Sequence, residues 1–198
     1  EFSYYSPNGK RSFGLYSHNL YGIDKDHLKI KKYNPEIILQ IESLKGINNL
    51  ESILSNDNSK KLVTLMHVNN EIGKILDLKK VSSICRKYST YFHTDAVQSV
   101  GHFKFDLDSL NIDFLSASAH KFHGPKGIGF SFIRKKSGLK SFINGGSQER
   151  GLRGGTEAVH NIVGMSKAIS VAYENLNHEL KHILNLKLYL IKHLKINF

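Results

Sequence analysis

The eight residues KLVTLMHV (61–68) make an almost continuous apolar run, which reads as a strand buried in a sheet. The next twenty residues restrict the fold further. Leu78, Val81, Ile84, Cys85 and Tyr88 recur at three-and-four spacing, the pattern of an amphipathic helix, with Asp77 as its N-cap. YFHTDA (91–96) is then the next strand. EIILQI (36–41) and NLESILSN (49–56) supply an earlier strand and short helix. DFLSASA (113–119) and GIGFSFIRK (127–135) supply two later strands, the second turning back after Gly124-Pro125. Strands alternating with helices imply an α/β fold, a mostly parallel sheet with helices on both faces.

Residues 1–34 carry turn signals but no period and receive no assignment. The sheet-forming portion is expected over 35–172. Within it, GGSQERGLRGGTEAVHN (145–161) is a polar, glycine-rich loop entering a helix, with Thr156 or Gly155 before an acidic first turn at Glu157. From 173 to 198 a leucine-lysine helix, with Leu180, Leu184, Leu188, Ile191 and Leu194 on one stripe, is expected to open a small C-terminal α+β domain that is cut short.

Charge and cysteine usage narrow the function classes. The formal charge is +11, from 28 Lys and Arg against 17 Asp and Glu, but the basic residues are dispersed. No helix face or strand alternates arginine with aromatic residues as an RNA-binding sheet does, so a nucleic-acid partner is not expected. The single cysteine, Cys85, excludes an intrachain disulfide or a cysteine-cluster zinc site and fits a reducing compartment. No apolar run approaches the roughly 20 residues that span a bilayer. EFSYYSPNGK lacks the basic-then-apolar order of a secretory signal. A soluble cytoplasmic chain without a membrane role is expected, an organelle remaining open.

In open α/β sheets, ligands bind beyond the carboxyl ends of the strands. Three polar clusters fall there: Asn69-Asn70-Glu71, His93-Thr94-Asp95 with Gln98, and Ser118-Ala119-His120-Lys121. A lysine and a carboxylate on neighbouring strand ends make either a structural ion pair or a Schiff-base site for an aldehyde cofactor. His93 and His123 are read as strand-end and loop residues rather than metal ligands, and no metal is expected. His67, between apolar neighbours, reads as a packed histidine. The pairs Gly145-Gly146 and Gly154-Gly155 fit neither phosphate-loop nor dinucleotide fingerprints.

The stretches MHVNNEIG (66–73), FHTDAVQSVG (92–101), SASAHKFHGPKGIG (116–129) and GGSQERGLRGGTEAV (145–159) resemble four consecutive blocks of the NifS/IscS-type cysteine desulfurases. Those are fold-type I pyridoxal-phosphate enzymes of the class V aminotransferase-like group, and the likeness extends over residues 36–198. By position, the resemblance implies that Lys121 is the Schiff-base lysine and Asp95 the carboxylate facing the pyridine nitrogen. Gln98 and Asn70 correspond to contacts of the phenolic oxygen, Asn70 also neighbouring the substrate carboxylate. Ser118 and His120 correspond to phosphate ligands beside the small Ala119. Thr156 corresponds to a hydroxyl that reaches the phosphate across a subunit boundary, which implies a homodimer. Arg150 and Arg153 lie in a loop that the family places near the neighbouring subunit's site.

The implied reaction takes sulfur from L-cysteine, leaving L-alanine and an enzyme persulfide for an iron–sulfur scaffold or another acceptor. Two family blocks have no counterpart here. One carries a phosphate-binding threonine and a ring-stacking histidine, for which His18 and His27 sit in the wrong context. The other carries the sulfur-accepting cysteine and a carboxylate-binding arginine. The chain is therefore expected to be partial and inactive alone, Cys85 being a structural residue. The alternatives are a non-catalytic remnant that binds a scaffold or dimer partner, and another class V enzyme such as a selenocysteine lyase.

Overall fold

The computed structural model describes residues 37–40, 47–55, 61–135 and 137–197. The unassigned segment 1–34, and the expected strand and helix ends at Glu36, Ile41 and Asn56, lie outside the described residues. The described elements are β1 (Ile37–Gln40), α1 (Leu50–Ser55), β2 (Lys61–Met66), α2 (Leu78–Lys87), β3 (Tyr91–Asp95), β4 (Phe114–Ser118), β5 (Gly129–Ile133), α3 (Val159–Glu174) and α4 (Leu176–Asn197). Short 3-10 turns occupy Ala119–Phe122 and Gln148–Gly151.

The strands follow the order β1-β2-β3-β4-β5. The first three pairings are parallel, with Met66 opposite Asp95 and Asp95 opposite Ser116. After β4 the chain reverses: Ala119 N–H donates to the Ile128 carbonyl at 3.0 Å and Arg134 N–H to that of Asp113 at 2.8 Å. The reversal is the one expected after Gly124-Pro125, and it makes the sheet mixed. Among the described residues no helix is long and apolar enough to cross a membrane.

Two compact units divide the chain. One takes the described residues up to Ala96 with Asp106–Ser116 and Phe132–Arg134; the other takes Val97–Phe105, Ala117–Ser131 and the chain from Lys135 onward. In the first unit, side chains alternate along each strand. Val63 and Leu65 of β2, Phe92 and Thr94 of β3 and Leu115 of β4 are buried together with Leu50, Leu54, Val81 and Ile112. The intervening Leu62, Thr64, Met66, His93, Asp95 and Ser116 are half-buried. β2 is thus buried on alternate residues rather than throughout, and its second face carries the polar positions.

Helix α2 forms as its spacing predicts. Asp77 caps it, its carboxylate accepting the Lys80 N–H at 2.9 Å. Leu78, Val81, Ser82 and Cys85 are buried, whereas Ile84 and Tyr88 are half-covered. Arg134 ties the loop before β4 into this unit, donating to the carbonyls of Ile112, Leu107 and Leu110 at 2.7–2.8 Å.

In the second unit α3 packs on the 3-10 turn at Ala119–Phe122. A methyl group added at Gly164 would lie 2.7 Å from the Pro125 ring, so only glycine permits this approach. The start of α3 corrects an expectation. The helix begins at Val159 after Ala158, which makes no side-chain cap, and its first turn holds no acidic residue. Glu157 precedes the helix, its carbonyl accepting the Val159 N–H at 3.0 Å, which closes a turn before helical geometry starts. On α4 the stripe Leu180, Leu184, Leu188, Ile191 and Leu194 forms, and all five are exposed.

Candidate functional site

Two of the expected site residues stand in the first unit. Asn70 is exposed in the turn after β2, its amide donating to the Glu71 carboxylate at 2.9 Å. Asn69 builds that turn, its side-chain oxygen accepting the N–H groups of Glu71 and Ile72, each at 2.9 Å. The strands then set the place of Asp95. It ends β3 on the half-buried face, and its backbone carbonyl accepts the His67 N–H at 2.9 Å, continuing the ladder past β2.

His93 lies two residues before Asp95 on the same face. Its Nδ1 meets the Thr64 hydroxyl of β2, and its Nε2 meets the Ser116 hydroxyl of β4 at 2.9 Å. Burial pushes its pKa below the ordinary value of 6.5, and the nearby Asp95 charge opposes that shift. His67 is buried, as expected for a packed histidine, and burial depresses its pKa too.

The second unit holds the other candidates. Ser118 ends β4, and its hydroxyl meets His120 Nδ1 at 2.7 Å. Ala119 is fully buried, and a methyl group at Gly124 would come within 2.9 Å of its Cβ. Lys121 is exposed while its neighbour Phe122 is 1% exposed, so the turn is anchored by one side chain and presents the next. The Lys121 carbonyl accepts from His102 Nε2 at 3.2 Å. Gly101 backs this anchor: a Cβ there would lie 2.6 Å from that of Phe122. Gln98 is half-buried and Thr156 is exposed in the loop before α3.

Ser118, Ala119, His120 and Lys121 are therefore gathered on a single turn, as their adjacency implies, and Asp95 is joined by a neighbour read only as a strand-end residue, His93. The signal for His93 was present as Thr64, His93 and Ser116, each on the half-buried face of its strand. The register that brings them together was not. Cys85 is 1% exposed and its pKa is pushed up to about 12, first by burial and then by the Asp113 charge.

Comparison with known proteins agrees with the resemblance. The profile of the aminotransferase class-V family matches residues 29–197. A cysteine desulfurase IscS of Dictyoglomus turgidum is 48% identical over 131 residues, covering 66% of this chain and 33% of that protein. One of Clostridium botulinum is 40% identical over 178 residues, covering 88% of this chain and 43% of its own. Among solved structures, a NifS-like protein from Rickettsia africae superposes with a TM-score of 0.72 at 32% identity, over 79% of this chain and 42% of that one. A second NifS-like protein gives a TM-score of 0.71 at 40% identity, with the same coverage. The chain thus spans between a third and somewhat under half of the length of the relatives it matches.

Proposed function

The chain belongs to the aminotransferase class-V family, and from that premise we propose that it is the central, cofactor-binding portion of a pyridoxal-phosphate-dependent cysteine desulfurase. The observation that carries the reading is the turn Ser118–Lys121, where an exposed amine follows a hydrogen-bonded hydroxyl and imidazole. That donor set fits the cofactor: an aldehyde needs a primary amine, and a phosphate needs short polar donors close to the chain. Asp95, on the half-buried sheet face, supplies the carboxylate that a pyridine nitrogen requires.

Bound pyridoxal phosphate supplies a carbonyl carbon for amine exchange and an electron-poor ring that accepts the electron pair left at the substrate's α-carbon. The residues do the rest. Lys121 would hold the cofactor through its amine and would take and return the proton at the substrate's α-carbon. The Asp95 carboxylate keeps the ring nitrogen protonated. Ser118 and His120 bind phosphate, and Ala119 leaves room for the ring. Gln98 and Asn70 address the phenolic oxygen, and Asn70 the substrate carboxylate.

The substrate in this reading is L-cysteine, and the sulfur passes to an iron–sulfur scaffold or another acceptor. Thr156 reaches the phosphate of the opposite subunit in a homodimer. Residues 35–172 form the cofactor-binding portion and 173–198 open the small domain. A reducing, cytoplasmic setting suits the single buried thiol. Cys85 does not take the sulfur, because a buried thiol with a pKa of about 12 is neither accessible nor ionised.

The test is cofactor capture. Pyridoxal phosphate added to the chain should give the absorbance of an imine-linked cofactor, and borohydride should fix the label on Lys121, as peptide mapping reads. Lys121→Ala should lose the fixed label. Labelling spread over surface lysines, with Lys121 unmarked, would overturn the assignment.

A further inference from the structure

Where β3 begins, at the opposite end of that strand from Asp95, lies a cavity of about 250 Å3 whose lining includes Arg86, Ser89, Asn111, Asp113 and Arg134. All five belong to the first compact unit, and none is a candidate for the cofactor. Both arginines are fixed by the segment that precedes β4. Arg134 spends Nε and Nη2 on the carbonyls of Ile112, Leu107 and Leu110, and its guanidinium carbon lies 5.5 Å from the centre of the Phe132 ring. Its Nη1 makes no hydrogen bond among the described residues. Arg86, in the last turn of α2, donates from Nη1 to the Asn111 side-chain oxygen at 3.1 Å.

Neither guanidinium makes an ion pair among the described residues. Asp113 lines the same cavity without closing on them: one carboxylate oxygen accepts the Phe92 N–H at 2.9 Å, and the other makes no hydrogen bond among the described residues. The turn from α2 into β3 completes the wall. Ser89 takes φ +48°, the left-handed geometry in which glycine usually ends a helix. Its N–H donates to the Arg86 carbonyl at 3.1 Å and the Thr90 N–H to that of Cys85 at 2.8 Å, so these helix-end carbonyls are spent on backbone donors. The Ser89 hydroxyl itself has no partner among the described residues. A side chain that strains the turn thus brings an unspent donor to the cavity.

We propose that this cavity is a binding site for a small hydroxylated oxyanion, a phosphate or carboxylate held by Arg86, Arg134 and the Ser89 hydroxyl while a ligand hydroxyl donates to Asp113. The donor set supports it, because planar guanidinium groups with N–H groups to spare match the oxygens of either anion. Two cations beside one carboxylate favour an anion that also carries a donor. The volume lies below the roughly 300–1,000 Å3 of pockets for drug-sized ligands, so the ligand is small. The site does not depend on the cofactor reading, since it shares no residue with it.

The experiment uses the 198-residue chain without pyridoxal phosphate, followed through its amide resonances in about 0.15 M salt. Glycerol 3-phosphate and glycerate are titrated separately, and the one that binds more tightly identifies the anionic group. Saturable shifts are expected at residues 86–91, 111–113 and 134. Arg86→Gln should weaken binding about tenfold. Lys87→Gln removes the same charge from a neighbour that pairs with Glu51 at 3.2 Å, and it should change binding less than about twofold. Ser89→Gly should raise the urea midpoint by relieving the turn, yet weaken binding about fivefold. These three residues are exposed, so the variants leave the core intact. Ethyl phosphate or propionate, without the hydroxyls, should bind about fivefold more weakly than its hydroxylated counterpart.

Four results would overturn the proposal. They are an absence of saturation with both probes, shifts confined to residues 118–121, equal losses in Arg86→Gln and Lys87→Gln, and binding that neither Ser89→Gly nor removal of the ligand's hydroxyls weakens.

Discussion

Alkylation of Cys85 should be nearly undetectable in the folded chain, and the structure sets by how much. The thiol is 1% exposed on the inner face of α2, beside Leu78, Val81 and Ser82. Burial is the main cause that raises its pKa from 9.0 to about 12, and the Asp113 charge adds to it. Asp113 is itself fixed nearby, its carboxylate accepting the Phe92 N–H at 2.9 Å. The attacking species is the thiolate. A rise of about three units leaves roughly 10³-fold less of it near pH 8 than in the unfolded chain. Burial blocks the reagent as well, so reaction must wait for local opening. The assay is iodoacetamide at pH 8 with and without guanidinium chloride, read by intact mass. The folded chain should react at least about 10³-fold more slowly. A folded rate within about tenfold of the unfolded one would refute the reasoning, because it requires an ionised or exposed thiol. The same sample, given pyridoxal phosphate and L-cysteine, should carry no persulfide on Cys85.

Three further outcomes are expected from packing and charge. Gly101→Ala should lower stability by about 2–4 kcal/mol, because Gly101 has φ +84° and its new Cβ would lie 2.6 Å from Phe122 Cβ; an unchanged urea midpoint would mean that this contact yields freely. Arg134→Met leaves the carbonyls of Leu107, Leu110 and Ile112 without their guanidinium donor. It should cost about 1–3 kcal/mol and speed amide exchange over residues 106–112, whereas exchange unchanged there would deny Arg134 its anchoring role. Stability should also decline on the acid side. His67 and His93 have folded pKa values below 6.5, so the unfolded chain binds protons first as pH falls; the stability they confer is complete above pH 6.5 and is lost as pH drops through their folded values. Urea midpoints at pH 7.5 and 5.5 check this, and equality would contradict it.

Much of this protein was legible locally. Strand and helix periods depend on which side of an element meets apolar neighbours, so KLVTLMHV, the 78–88 stripe and YFHTDA identified their elements directly, and Asp77 caps α2 because a short carboxylate reaches backbone N–H groups three residues on. The burial of Cys85 followed from the same spacing. Lys121 could be singled out because it sits with Ser118, Ala119 and His120 in one short turn after a strand, where covalent adjacency does the gathering. The start of α3 was not legible because glycines and a threonine before Glu157 permit a helix end at several residues, and the backbone turn that the Val159 N–H closes on the Glu157 carbonyl leaves Val159 as the first helical residue. His93 needed more than its own strand. Its hydroxyl partners lie 29 and 23 residues away, and only the parallel register of β2, β3 and β4 tells which of the polar residues on that face lie within reach. Arg134 is similar, since its acceptors are backbone carbonyls that every residue possesses. Side-chain chemistry and period are properties of the chain, whereas register and the path of a loop are settled by which arrangement buries the apolar faces together, and the sheet's polar partners are chosen in that step.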